Sequence, residues 1–271
     1  MAHRVSIAGA GFDNLTQKQL VENVASAIRY GVGGTIVTPN IDICHRIGRD
    51  PSSRGFITSA SFVVPDGMPL LWAGRLVGTP LVERITGADL IYSLSEAAAS
   101  GGWPIFLVGG MPSADSRPTA AQLAADRLAE RYPGLEIAGT YAPPAKFSAL
   151  TDDIEVLCKD LDESEPKVVF VGLGFPKQER LISRLIPVLP GAWFIGCGAA
   201  IPYAAGELRR APEWMQRTGL EWIFRLVSEP RRLAGRYLRR DIPYAAALLT
   251  KSAREGLSRR RRRRRDQRNL R

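Results

Sequence analysis

Residues 103–140 spell out a complete strand, helix, strand unit, and this unit limits the fold more than any other stretch of the chain. Residues 103–108 form an apolar run of strand length, Gly109-Gly110 a tight loop, and residues 119–131 an amphipathic helix stopped by Tyr132-Pro-Gly134. Residues 135–140 return as the next strand. Two strands joined by a helical crossover lie parallel, and a parallel sheet needs helices over both faces. The alternation recurs, with apolar runs at 4–8, 34–37, 62–64, 167–171 and 193–195 separated by stretches of helical spacing. The expected fold is therefore α/β, a Rossmann-like, mostly parallel sheet flanked by helices.

Such sheets bind ligands beyond the carboxyl ends of their strands. Phe62-Val-Val-Pro-Asp66-Gly67 brings a carboxylate to that edge, which makes Asp66 the first candidate for a catalytic group, although Pro-Asp-Gly is also an ordinary turn signature. At the end of the 34–37 run, Pro39 forces Thr38 into an extended conformation, so its hydroxyl and the Asn40 amide form a candidate substrate shelf. Asn40 as a helix N-cap is the competing reading. Arg84, with Thr86 and Asp89 close by, has the planar fork that suits phosphate, or it pairs with Asp89 on the surface. Gly109 and Gly110 would let backbone N–H groups approach a phosphate. Gly172-Leu-Gly174-Phe-Pro176-Lys-Gln178-Glu179 is a glycine-rich turn into a helix whose amide and carboxylate can read a uracil edge or ribose hydroxyls.

Other features point away from competing chemistries. Gly9-Ala-Gly11 resembles a dinucleotide fingerprint, but Asn14 stands where the third glycine belongs, so it is read as a turn and a dehydrogenase is disfavoured. Asp160-Leu-Asp162 is formally a D-x-D, yet it enters a strand from the edge opposite the ligands and is expected to be a solvated loop, 160–165. Cys44, Cys158 and Cys197 lie far apart and only two histidines occur, which argues against a zinc site or a disulfide framework; His45 is expected to pack within its helix. Neither a signal peptide nor a membrane span of about 20 apolar residues is visible, so a cytoplasmic location is expected.

The net charge of +10 sits almost wholly at the C-terminus, where residues 231–271 carry sixteen Lys or Arg against three acids. Arg232, Arg236 and Arg239 share one helical face beside Leu233 and Tyr237, and residues 259–265 are seven consecutive arginines. The chain divides into a catalytic domain, 1–206; a helical, basic, membrane-associating appendage, 207–257; and a tail, 258–271, expected to be disordered by self-repulsion. Basic residues interleaved with apolar ones favour an anionic membrane surface, while nucleic-acid binding by the arginine-rich terminus on a non-catalytic scaffold is the alternative.

Five motifs in order carry a resemblance to the WecG/TagA/CpsF family of glycosyltransferases over about residues 5–238: Thr38-Pro-Asn40; Pro65-Asp66-Gly67; Arg84-x-Thr86-Gly-x-Asp89; Gly172-x-Gly174-x-Pro176-Lys-Gln178-Glu179; and Arg210-Ala-Pro212-x-Trp214 through Gly219-Leu-Glu-Trp222-x-x-Arg225-Leu. The resemblance implies an inverting transfer of a sugar, typically N-acetylmannosamine, from a UDP donor to a polyprenyl-diphosphate-linked saccharide at the inner membrane face, in envelope or exopolysaccharide assembly. It implies Asp66 as the general base, with Thr38, Asn40, Arg84 and Gln178 positioning the substrates. Arg225, Arg232 and Arg236 would contact diphosphate from the appendage. No metal or other cofactor is implied, and a homo-oligomer is left open. Ile201-Pro202 replaces the family's usual Phe-Asp, a departure that bears on the identity of the donor sugar.

Overall fold

The computed structural model describes residues 4–110, 117–144, 146–150 and 152–269, with side chains up to 259. The chain begins with an antiparallel hairpin, β1 (Val5–Ile7) and β2 (Ala10–Phe12), turned by Ala8 and Gly9 at φ 53° and 80°. Two consecutive positive φ values suit the right-handed twist of a tight hairpin, so the expected turn at Gly9 is a hairpin turn. Then come α1 (Gln17–Arg29), β3 (Gly34–Val37), α2 (Ile41–Ile47), α3 (Pro51–Thr58), β4 (Phe62–Val63), α4 (Met68–Val77), α5 (Gly87–Gly101) and β5 (Ile105–Gly109). The second half adds α6 (Ala120–Arg131), β6 (Ile137–Tyr141), α7 (Glu155–Ser164), β7 (Val168–Gly172), α8 (Lys177–Leu185), β8 (Trp193–Gly196) and α9 (Ala200–Ala204).

Strands β3 to β8 form one sheet in the order β4-β3-β8-β7-β5-β6, parallel at every pairing. The alternation of side chains across the pleat divides the core. Ile36, Ile105, Leu107, Phe170 and Ile195 face α1, α5, α6 and α9 on one side. On the other, Phe106, Val108, Val169, Val171 and Phe194 meet α7 and α8, while Val37 and Val63 meet α2 to α4. Threonines start three of the helices: Thr16, Thr86 and Thr119 each accept a bond from the backbone N–H three residues on, with a Gln19 or Gln122 side chain returning the bond at the first and third. His45 packs outside its own helix, edge-on against Tyr244 with ring centres 5.0 Å apart.

One expectation requires correction. Residues 160–164 are the last turns of α7 rather than a loop, because Leu157 and Leu161 bury one helical face while the acids point outward; Glu165 closes the helix in the left-handed region. At the C-terminus the helical backbone runs as far as Asn269. That helix is already nucleated by packed residues upstream, arginine is a strong helix former, and like-charge repulsion costs only about 0.2–0.5 kcal/mol per pair.

The appendage comprises α10 (Glu213–Thr218), α11 (Glu221–Ser228), α12 (Pro230–Arg236), a π-helical turn (Tyr237–Asp241) and α13 (Ile242–Asn269). It is continuous with the body. Leu248 is buried among Ile43, Ile47, Leu70 and Leu71, with Tyr244, Ala245 and Leu249 beside it. Gly256 lets α13 lie directly on α4, since a Cβ there would stand 1.9 Å from the Leu76 carbonyl oxygen.

Candidate active site

Three backbone bonds set the site. Val64 N–H donates to the Val37 carbonyl at 3.0 Å, Asp66 N–H to Pro39 at 3.0 Å, and Ile85 N–H to Pro65 at 2.9 Å. These bonds continue the sheet ladder past the strand ends and line up the segments carrying Asn40, Asp66 and Arg84. Gly67 has φ 134°, a conformation that side chains other than glycine's disfavour, and so turns the chain sharply from Asp66 into α4. Helix α11 lies opposite and presents Glu221 and Arg225 one turn apart. Together these groups, with Arg236, line a cavity of about 360 Å³ whose remaining wall mixes apolar side chains, including Met68, Trp72, Trp222 and Leu249, with Asp42, Gln216 and Asp241.

Burial is the main reason that the Asp66 carboxyl is pushed up to about 7; Glu221 and Asp89 act in the same direction, against Arg84 and Arg225. At neutral pH it is therefore poised between proton donor and acceptor, as a general base requires. Arg84 Nη1 lies 3.2 Å from Glu221 and its Nη2 3.9 Å from Asp89. Asp89 binds Arg210 more closely, at 2.6 Å, and accepts from the Thr86 hydroxyl at 2.7 Å. Burial would raise the Asp89 pKa, but Arg210, Thr86 and Arg84 outweigh it and hold that carboxyl below its ordinary range. The expected Arg84 to Asp89 pair is thus the loosest contact of this network. Arg225 leans over the Tyr203 ring at 5.9 Å, and its buried Nε has no hydrogen-bond partner. An unpaired buried donor beside a cavity is suited to an anionic ligand.

The candidates divide by location. Asn40 is the N-cap of α2, its Oδ1 accepting from Ile43 N–H at 3.0 Å, and the residue also lines the cavity. Thr38 is buried and is not among the residues that line the cavity. Arg236 reaches the cavity and lies 3.3 Å from Asp241, whereas Arg232 points away into an ion pair with Glu229 at 2.6 Å. Gln178 is buried with its atoms engaged: Oε1 accepts from Gly174 and Gly198 N–H, each at 3.0 Å, and Nε2 donates to Glu179 at 2.8 Å. It ties the loop after β7 to the loop after β8. Glu179 is pushed up to about 7 by burial, partly offset by Gln178.

The glycines are mostly filled by protein. Cβ atoms added at Gly109 or Gly172 would meet Ile201, and one at Gly110 would meet Ala120. Gly174, at φ 75° just before Pro176, has open space. Residues 111–116, which follow Gly110, lie outside the described residues. Sequence reasoning left Glu221 and Arg210 without roles, although both fall within the recognised motifs. The signal available for Glu221 was its spacing of four from Arg225. Among the described residues, no group of three or more His, Cys, Asp and Glu side chains is arranged to hold a metal ion.

An N-acetylglucosaminyldiphosphoundecaprenol N-acetyl-beta-D-mannosaminyltransferase of Bacillus spizizenii is 34% identical over 200 residues, 74% of this chain and 73% of the relative. Its namesake in Staphylococcus aureus is 30% identical over 232 residues, covering 85% and 87% of the two chains. The Bacillus subtilis protein of the same name is 30% identical over 199 residues, 73% of each chain. The sequence profile of the Glycosyl transferase WecG/TagA/CpsF family matches residues 5–258, and the chain belongs to that family of glycosyltransferases.

Proposed function

We propose that this glycosyltransferase moves N-acetylmannosamine, or a closely related hexose, from a UDP-sugar to a polyprenyl-diphosphate-linked saccharide at the cytoplasmic face of the membrane, in cell-envelope or exopolysaccharide synthesis. The observation that carries the reading is the placement of Asp66, a half-buried carboxyl pushed up to about 7 mainly by desolvation, on the wall of a cavity shared with Arg84, Arg225 and Arg236. The Asp66 carboxylate takes the proton of the acceptor hydroxyl. That oxygen attacks the anomeric carbon as the bond to the β-phosphate oxygen breaks, so a single displacement inverts the centre and UDP leaves. The arginines offset charge on the departing diphosphate. Asn40 borders the acceptor side, with Thr38 supporting it from the interior, and the open turn at Gly174 with Pro176 borders the nucleotide.

The appendage supports the membrane reading. Trp214, Val227, Leu238, Ile242 and Leu257 are exposed among its arginines, a surface suited to an anionic lipid interface. Among the described residues, no helix is long and apolar enough to cross a membrane. The test is a transfer assay with a panel of UDP-sugars and a short-chain lipid-diphosphate-N-acetylglucosamine acceptor, with and without EDTA. Equal product from UDP-N-acetylmannosamine under both conditions is expected. No product from any UDP-sugar, with liposomes supplied, would overturn the reading.

A further inference from the structure

Arg84 belongs to the body, but its closest carboxylate comes from the appendage, 137 residues further along the chain. Asp89, the partner nearer in sequence, is committed to Arg210 and Thr86, leaving Glu221 as the group that fixes the Arg84 guanidinium. Both side chains of the pair are largely buried, 15% and 19% exposed, and both line the cavity. A carboxylate on one edge of a guanidinium restrains the whole planar fork and so aims its remaining N–H groups.

We propose that Glu221 is a positioning residue, whose carboxylate holds the Arg84 guanidinium at the cavity wall in the orientation that receives the leaving diphosphate. Docking of α11 thereby completes the site by orienting a residue of the body. The inference rests on the glycosyl-transfer reading above. It carries a second consequence. Asp66 faces Arg84 from the segment before α5, Asp89 from α5, and Glu221 and Arg225 from α11. Loss of the Glu221 charge removes one of the two groups that favour the protonated Asp66.

The experiment uses the full chain and two readouts. Nitrogen-15 spectra of the arginine side chains report whether the Arg84 guanidinium is restrained, and transfer kinetics report what the restraint does. In wild type, separate, slowly averaging signals are expected for Arg84, and in Glu221→Gln a single averaged one. In the same variant kcat is expected to fall about 10- to 100-fold, with donor KM within about threefold and the acid limb of the pH profile moved to lower pH. In an Arg84→Lys background the further loss from Glu221→Gln should be under about twofold.

Unchanged Arg84 signals, or an equal loss in the Arg84→Lys background, would overturn the proposal. So would tighter UDP binding with undiminished kcat, which would make Glu221 a stand-in that the diphosphate displaces. Should Glu221→Gln not fold, Glu221→Asp serves: the charge is kept but withdrawn by one methylene, so kcat should drop several-fold with the acid limb unmoved, and full kcat would refute the role. If wild type transfers sugar from no UDP donor, the functional reading falls, while the spectra still decide whether Glu221 holds Arg84.

Discussion

Replacing Asp66 with Asn should stabilise the fold at alkaline pH while removing activity. The carboxyl ionises near its ordinary value of 3.8 in the unfolded chain and at about 7 in the folded one, where burial dominates. Between those values the folded state holds the extra proton. The group's favourable contribution is therefore complete below about 3.8 and is lost as pH rises through about 7. At about 1.36 kcal/mol per pH unit the displacement sets a ceiling of about 4 kcal/mol. Asp66 borders an open cavity, and the effective dielectric there reduces the expected cost to about 1–2 kcal/mol. The nearly isosteric, uncharged Asn escapes that cost. Thermal melts at pH 8 should place Asp66→Asn about 2–6 °C above wild type, with the difference vanishing near pH 4. A variant less stable at pH 8, or one offset by the same amount at both pH values, would refute the argument that burial of this carboxylate is costly. In wild type, kcat/KM should rise with pH through a midpoint near 7, as the base loses its proton.

Arg225→Gln should lower kcat about 10²-fold by removing a charge from the leaving-group side of the cavity, and steady-state kinetics would show it. Gly256→Val places side-chain atoms where the Leu76 carbonyl lies, so α13 must lift from α4; urea unfolding should record a loss of about 1–3 kcal/mol. Truncation after Leu257 removes nine arginines and one acid. At about 1 kcal/mol for each basic residue near an anionic surface, it should weaken sedimentation with phosphatidylserine vesicles by more than tenfold. Undiminished binding would place the lipid contact on α10 to α12 and the part of α13 before residue 258.

What could be read in the sequence was governed by local patterns. The apolar strand runs ended in Gly or Pro turns and were separated by stretches of helical spacing, so the parallel sheet and the carboxyl-edge location of Asp66 followed from spacing. Contacts between distant segments were not legible. Nothing in the periodicity of residues 242–257 shows that Gly256 will meet the Leu76 backbone, or that Leu248 will join the core around Leu70. The same limit hid the partner of Arg84: the nearby Asp89 was the visible candidate, yet Arg210 occupies it and Glu221 arrives from the appendage. Gln178 looked like a substrate contact because it opens a helix after a glycine-rich turn, and only the paired loop amides of Gly174 and Gly198 show how it is engaged. In the acidic stretch at 160–165, charge was given more weight than the four-residue spacing of Leu157 and Leu161, although that spacing sets the helix.

The central claim is that Asp66 removes the acceptor proton within the cavity closed by α11. The most direct measurement compares wild type with Asp66→Asn for transfer from UDP-N-acetylmannosamine to a lipid-diphosphate-N-acetylglucosamine acceptor, with UDP affinity measured on the same samples. The account predicts UDP binding within about threefold of wild type and a transfer rate lower by at least about 10²-fold. Transfer at the wild-type rate, with UDP bound normally, would contradict it.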